Sequence, residues 1–144
     1  MKFEICPYVS VGPIMFGMTA EQVRSILGCA YKEFKRGPFA KTITDAFQPL
    51  GIFACYDIDR KCNAVEMVLP AQLLYNGREL LGGSFDKIFD LIYSFDSEVK
   101  ADKDGLTSFA LGIGLYAPGC AKDGLLRVES IIAFQRGYYD AKGK

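Results

Sequence analysis

Histidine is absent from all 144 residues. The commonest general base near neutral pH and the commonest metal-ligating side chain are therefore both missing. Ser-His-Asp and Cys-His nucleophilic arrangements cannot be built. Net charge is absent as well: 17 Lys plus Arg balance 17 Asp plus Glu, so no overall field draws the chain to phosphate backbones or to an anionic membrane. Neither nucleic acid nor a membrane is an expected partner. No run is apolar for long enough to span a bilayer, and the opening Met1 to Ile5 lacks the apolar stretch and small-residue cleavage site that export requires. These absences predict a soluble, cytoplasmic protein.

Five cysteines, Cys6, Cys29, Cys55, Cys62 and Cys120, form an odd set without a CxxC pair. Reduced thiols in a cytosol fit that pattern, and a zinc site would need several of these scattered residues to converge. No metal and no cofactor is expected. Carboxylates, lysines and tyrosines remain as chemically capable groups, but none recurs at a spacing that signals catalysis.

What is present is ample core material. Half of the residues are hydrophobic and about a quarter are charged, enough apolar surface to offset the entropy of ordering the chain. The length suits one domain over 1–144, and no low-complexity linker divides it.

Two segments read as helices. In the first, Gly17 to Gly28, Thr19 caps, Gln22 answers it three residues later, and Met18 and Val23 are placed to form a hydrophobic staple. Glu21 lies at the positive end of the dipole and Gly28 offers a left-handed stop. Val23, Ile26 and Leu27 make the expected buried stripe. The second segment, Ser84 to Phe95, starts after Gly82-Gly83 with Ser84 as cap. Its apolar face is Phe85, Ile88, Phe89, Leu91, Ile92 and Phe95. Gly17, Thr19, Glu21, Val23 and Ile26 match Gly82, Ser84, Asp86, Ile88 and Leu91 position by position. Either the chain is internally duplicated, with halves 1–78 and 79–144, or this is the shared grammar of any capped amphipathic helix after a glycine turn.

Elsewhere the pattern is of short β-rich runs between turn residues. Strands are expected over Tyr31 to Phe34, Lys41 to Phe47, Ile52 to Asp57, Ala64 to Leu69, Leu106 to Tyr116 and Leu125 to Arg136. Asp57 to Asn63 reads as a polar hairpin loop, with further turns at Asn76-Gly77 and Pro118-Gly119. The fold class is α+β: a mainly antiparallel sheet with two main helices on one face, in two layers.

The segment Phe16-Gly17-Met18-Thr19 through Leu27-Gly28 resembles the start of a repeat in the beta-lactamase inhibitor protein family, whose tandem helix-plus-sheet units open with a glycine, a methionine and a capped helix. The resemblance carries no binding residue across. The longer succession VGPIMFGMTAEQVRSILG, LGIFACYDID, GLTSFALGIGLYAP and RVESIIAFQRGYYD is similar to small bacterial toxin-immunity proteins of the contact-dependent growth inhibition type and their uncharacterised relatives. That resemblance implies a non-catalytic role, binding a cognate protein toxin domain and blocking it.

Several features have both a functional and a structural reading. Acidic residues cluster at Asp57, Asp59 and Glu66 in one hairpin and at Asp96, Glu98, Asp102 and Asp104 after the second helix. A basic partner or a calcium-like cation is one reading; solvated loop charge is the other, favoured because Lys100 and Lys103 interrupt the second set. Tyr138 and Tyr139 form either a small adhesive patch or the docked end of the sheet. These nine residues are the candidate partner-binding set. Gly112-Ile113-Gly114 is a fragment of a phosphate loop without its third glycine or its helix, so a bulge or close backbone approach accounts for it better. The hydroxyls of Gly105 to Ser108 read as turn caps. Cys55 and Cys62 are a redox pair or metal clip only if they adjoin, and otherwise core packing. The expected role is a protein-binding module. The alternative is a small cytosolic enzyme using carboxylate or tyrosine acid/base groups, and a homo-oligomer through an unpaired sheet edge suits either.

Overall fold

The computed structural model describes residues 2–139; Met1 and residues 140–144 lie outside the described residues. The first half of the chain runs β1 (Lys2–Cys6), β2 (Ser10–Val11), β3 (Ile14–Met15), α1 (Ala20–Leu27), β4 (Lys32–Phe34), β5 (Thr44–Phe47), β6 (Ile52–Tyr56) and β7 (Cys62–Met67). The second runs β8 (Gln72–Tyr75), β9 (Arg78–Glu79), α2 (Phe85–Phe95), β10 (Lys100–Asp102), β11 (Gly105–Ser108), β12 (Ile113–Tyr116) and β13 (Ser130–Phe134). The result is a sheet-dominated α+β fold, mostly antiparallel.

The helices start and stop where their end residues dictate. At α1 the Thr19 hydroxyl accepts from the Gln22 N–H while the Gln22 side chain accepts from the Thr19 N–H, a complete capping box, and Gly28 closes the helix at φ 61°. Ser84 caps α2. Ala20, Val23 and Leu27 are buried on α1, and Phe85, Ile88 and Ile92, each 65 positions later, are buried on α2. Ile26 is exposed, contrary to the expected stripe. Its azimuth falls outside the arc shared by Ala20, Val23 and Leu27, and that small alanine, unremarkable as a hydrophobe, takes the inward place.

The strands form two sheets. Eight of them lie in the order β10-β11-β12-β13-β7-β6-β5-β4, and the other five in the order β3-β2-β1-β8-β9. Each half thus supplies a helix followed by a four-stranded meander, and the last strands of the two meanders meet antiparallel at the centre. Glu66 stands opposite Ile132, flanked by the pairs Met67 with Ile131 and Val65 with Ala133. Exchanging the halves about Glu66 and Ile132 maps one flanking pair onto the other, so the large sheet has an internal two-fold.

The same operation relates the helix starts. The Ala20 N–H bonds Arg60 O and the Cys62 N–H bonds Met18 O; the Phe85 N–H bonds Leu126 O and the Val128 N–H bonds Gly83 O. The likeness of the two helix starts thus extends past the caps to their tertiary hydrogen bonds. The five-stranded sheet follows suit. The β2-β3 and β8-β9 hairpins lie on either side of β1, with β2 antiparallel and β8 parallel to it.

One face of the eight-stranded sheet, carrying Ile52, Ala54, Val65, Met67, Ile113 and Ile131, packs with both helices and with Phe3, Val11 and Leu73 of the small sheet in a single apolar cluster. Both helices therefore lie on one face, as expected. The small sheet was not anticipated. Its strands are as short as two residues, and Gly12-Pro13 folds the apolar run Val9 to Phe16 back on itself before any alternation can register.

Two of the expected strands are also revised. Leu106 to Tyr116 is broken after Ser108 by a turn that ends on Gly112 at φ 65°, with the Ser108 hydroxyl accepting from the Leu111 N–H at 3.2 Å. Leu125 to Arg136 contracts to β13, because residues 117–129 form a long connection rather than a continuation of the ladder.

Beneath α1 the halves diverge. The Arg24 guanidinium clasps the fully buried Asp45 through Nε at 2.7 Å and Nη2 at 2.9 Å, and Tyr56 donates to the same carboxylate at 2.8 Å. Arg24 also bonds Glu33 at 2.9 Å and lies 4.3 Å over the Tyr31 ring. Its pKa is raised, chiefly by the hydrogen bonds it donates to Asp45. Phe89 and Leu106 occupy the equivalent places in the second half, Leu106 in the apolar core and Phe89 packed against it.

Candidate functional site

Strand alternation leaves the second face of the large sheet without a helix layer. On β7 and β13 the inward Val65, Met67, Ile131 and Ala133 are buried, while Glu66, Ser130 and Ile132 between them are partly open. That face holds a cavity of about 710 Å³. Its floor includes Gly114 and Ile132, Tyr116 and Tyr139 stand in its wall, and Arg36, Glu66, Asp102 and Asp104 bring charge to it. Gly114 is what keeps the floor low: a Cβ there would meet Ile132 at 3.2 Å and lie 3.8 Å from the Tyr139 hydroxyl. The residue at the equivalent place in the first half is Phe53, by the matching pairs Phe53 with Glu66 and Gly114 with Ile132. Only the second half carries a glycine there.

Of the nine candidate residues, Glu66, Asp102, Asp104, Tyr138 and Tyr139 line this one cavity. Glu66 accepts from Arg36 at 2.8 Å. The Arg36 pKa is raised: burial opposes its charge, and Cys55 and Glu66 outweigh that cost. Asp102 takes the Asp104 N–H at 2.8 Å and Asp104 takes the Gly119 N–H at 3.0 Å, so each spends one oxygen on holding a turn.

The other four lie elsewhere. Asp57 accepts from the Asp59 and Lys61 N–H groups at 2.9 and 3.0 Å, which shapes the β6-β7 turn. Glu66 sits in mid-strand, apart from that turn, so the three acids of the hairpin do not form one group. Asp96 is buried rather than solvated, accepting from the Ser108 hydroxyl at 2.7 Å and the Glu98 N–H at 3.0 Å. Glu98 and Asp59 are exposed.

Tyr138 is buried and Tyr139 half-exposed, and both belong to an aromatic group at one end of this face. The Phe134 ring lies 5.9 Å from Tyr8 and Tyr138, 6.2 Å from Phe109 and 4.9 Å from Tyr139. Arg136 stacks over Tyr8 at 4.1 Å, and the Tyr8 hydroxyl donates to Phe109 O. Gly112 admits the Tyr8 ring, which a Cβ would meet at 3.0 Å. The glycine pair is thus a place of close approach rather than a phosphate loop.

Cys55 and Cys62 pack into different clusters, Cys62 on the helix side and Cys55 on the open side. Cys55 stands opposite Ala64 and Tyr56 opposite Cys62, so the two thiols point away from each other and form neither a redox pair nor a clip. Burial pushes both thiols up, that of Cys62 to about 12. Among the described residues no three Cys, Asp or Glu side chains are grouped to hold a metal ion.

Sequence reasoning did not single out Arg36, Tyr116 or Ser130, and it read Gly114 only as part of a close backbone approach, not as the floor of a cavity. Tyr116 and Ser130 are legible once strand parity is known, since they pair directly and point the same way as Gly114. Arg36 lies in a loop and has no periodic signal. Comparison with protein-family models, curated proteins and solved structures gives no match.

Proposed function

We propose that this chain is a non-catalytic protein-binding module, a bacterial immunity protein that occludes a cognate toxin domain in the cytoplasm through the open face of its large sheet. The observation that carries the reading is the one-sidedness of that sheet. One face is sealed by both helices, while the other presents a cavity walled by tyrosines whose acids are already engaged by Arg36 or by turn N–H groups. Tyrosine and arginine are the side chains most often found at binding hot spots, and a stable interface needs about 800 Å² per partner, within reach of an eight-stranded face and its rim. A tandem helix-plus-sheet repeat is also what the likeness to the beta-lactamase inhibitor protein family implied. Among the described residues no helix is long and apolar enough to cross a membrane.

One observation favours the enzyme alternative: Glu66, Asp102 and Asp104 share their cavity with tyrosines. Co-expression with any toxin domain encoded beside this gene decides between them. Restored growth and a 1:1 complex on pull-down support the immunity reading. Absence of both, with turnover by the purified protein that is lost in Glu66→Gln, supports the enzyme.

A further inference from the structure

The internal two-fold supplies a ruler for what has been added to the fold. Phe34 pairs with Thr44 at the end of the β4-β5 hairpin, and Asp102 pairs with Gly105 at the end of β10-β11. These are equivalent positions. The second hairpin turns in two residues, Lys103-Asp104; the first takes nine, residues 35–43. A scaffold whose second copy closes in a tight turn has no structural need of so long a connection, and extended loops on rigid scaffolds carry recognition.

The composition of this loop is specific. Phe39 is 92% exposed, the highest value for a large hydrophobic side chain among the described residues. It stands at a turn closed by the Ala40 N–H on Gly37 O at 3.1 Å, with Pro38 before it restricting the backbone. Lys35, Arg36 and Lys41 are exposed around it, and no acid occurs between Glu33 and Asp45. Arg36 ties the base of the loop to Glu66 on the open face. An aromatic ring on a stiffened tip, ringed by cations, is complementary to an apolar socket bordered by carboxylates.

We infer that residues 35–43 are a docking arm that inserts Phe39 into an apolar, acid-rimmed socket on a protein partner while the adjoining sheet face covers the surface beside it. The inference rests on the binding-module reading and names the chemistry of the partner's surface. A protein fits better than a lipid bilayer because Arg36 belongs both to the arm and to the cavity, and a flat membrane cannot engage a single raised tip together with a recessed floor.

The test places p-benzoylphenylalanine at position 39 or at position 116 of the full chain in cells, with irradiation and mass spectrometry of the adducts. The expected result is that both positions join the same protein, position 39 at an apolar peptide flanked by Asp or Glu. Phe39→Ser then lowers the affinity for that purified protein roughly tenfold or more, and Lys35→Glu or Lys41→Glu lowers it further as a salt-sensitive effect. Phe39 is too exposed for its replacement to unfold the chain. Adducts at position 116 alone, or an affinity indifferent to Phe39→Ser, overturn the arm and leave the binding module standing. Adducts at neither position overturn both. Binding of the wild type, but not Phe39→Ser, to phosphatidylglycerol vesicles overturns the protein partner in favour of a membrane.

Discussion

Arg24 and Asp45 form a two-pronged ion pair beneath α1 at a place where the second half of the same chain sets Phe89 and Leu106. The molecule thus contains its own apolar alternative to a buried charge pair. Separating two buried charges is costly, whereas replacing both with apolar groups is often neutral or better.

Asp45→Ala strands the Arg24 cation and the Tyr56 hydroxyl, and the expected loss is about 3–5 kcal/mol by urea denaturation. The triple variant Arg24→Phe, Asp45→Leu, Tyr56→Phe places the other half's two residues at the ion pair and removes the hydroxyl left without its acceptor, and it is expected to regain most of that loss. A triple variant no more stable than Asp45→Ala would show that the ion pair contributes more than the apolar packing that could replace it.

The alkaline limb of stability has a definable source. Burial, and then the neighbouring Cys55, raise the Cys62 thiol from its ordinary value near 9 to about 12. The unfolded chain releases this proton first, so the stabilisation is complete below pH 9 and is lost as pH rises from 9 towards 12, at up to about 1.4 kcal/mol per pH unit. Tyr56 is raised as well, first by burial and then by its bond to Asp45, and adds to the loss at higher pH. Val128 occupies the position equivalent to Cys62. Cys62→Val is therefore expected to keep the fold at pH 7 and to flatten the decline just above pH 9, measured as the urea midpoint against pH.

Thiol accessibility follows from burial. Cys6 is exposed, Cys29 intermediate, and Cys55, Cys62 and Cys120 are buried and unpaired. Titration of the native protein with a chromogenic disulfide is expected to label Cys6 at once and Cys29 more slowly. The other three should react only on unfolding. Fewer than five reactive thiols in denaturant without reductant would contradict the absence of a disulfide.

Gly105 pairs with Tyr116 on β12, and a Cβ on it would lie 1.9 Å from Leu115 O. Because that neighbour is backbone in the middle of the sheet, Gly105→Ala is expected to cost several kcal/mol by urea denaturation. Gly77→Ala, which meets nothing within 4 Å but sits at φ 77°, should cost only about 1 kcal/mol.

Both helices were legible in the sequence to within a residue, because Thr19, Gln22, Gly28 and Ser84 act locally, on partners three or four positions away. The internal two-fold was half legible. Its helix starts align without gaps at an offset of 65, but the connections between elements differ in length: the offset is 68 at the first strands, drops to 61 because nine residues against two join them to the next, and returns to 66 at the last strands. No fixed-period comparison survives such shifts. The cavity was legible only in its acids and tyrosines. Gly114 and Tyr116 become visible when β12 is known to be a separate strand with Gly114 on the open side, which depends on the turn at Gly112. Asp96 looked like surface charge in a charged segment, and only the tertiary position of Ser108 makes it a buried acceptor.

The most direct test of the central claim is hydrogen exchange of the full chain, free and with the protein partner that crosslinks to positions 39 and 116. The account predicts slowed exchange confined to β12, β13, β7 and residues 35–43, with α1 and α2 unchanged. Protection of the helices with the open face unaffected, or no protection at saturating partner, would contradict it.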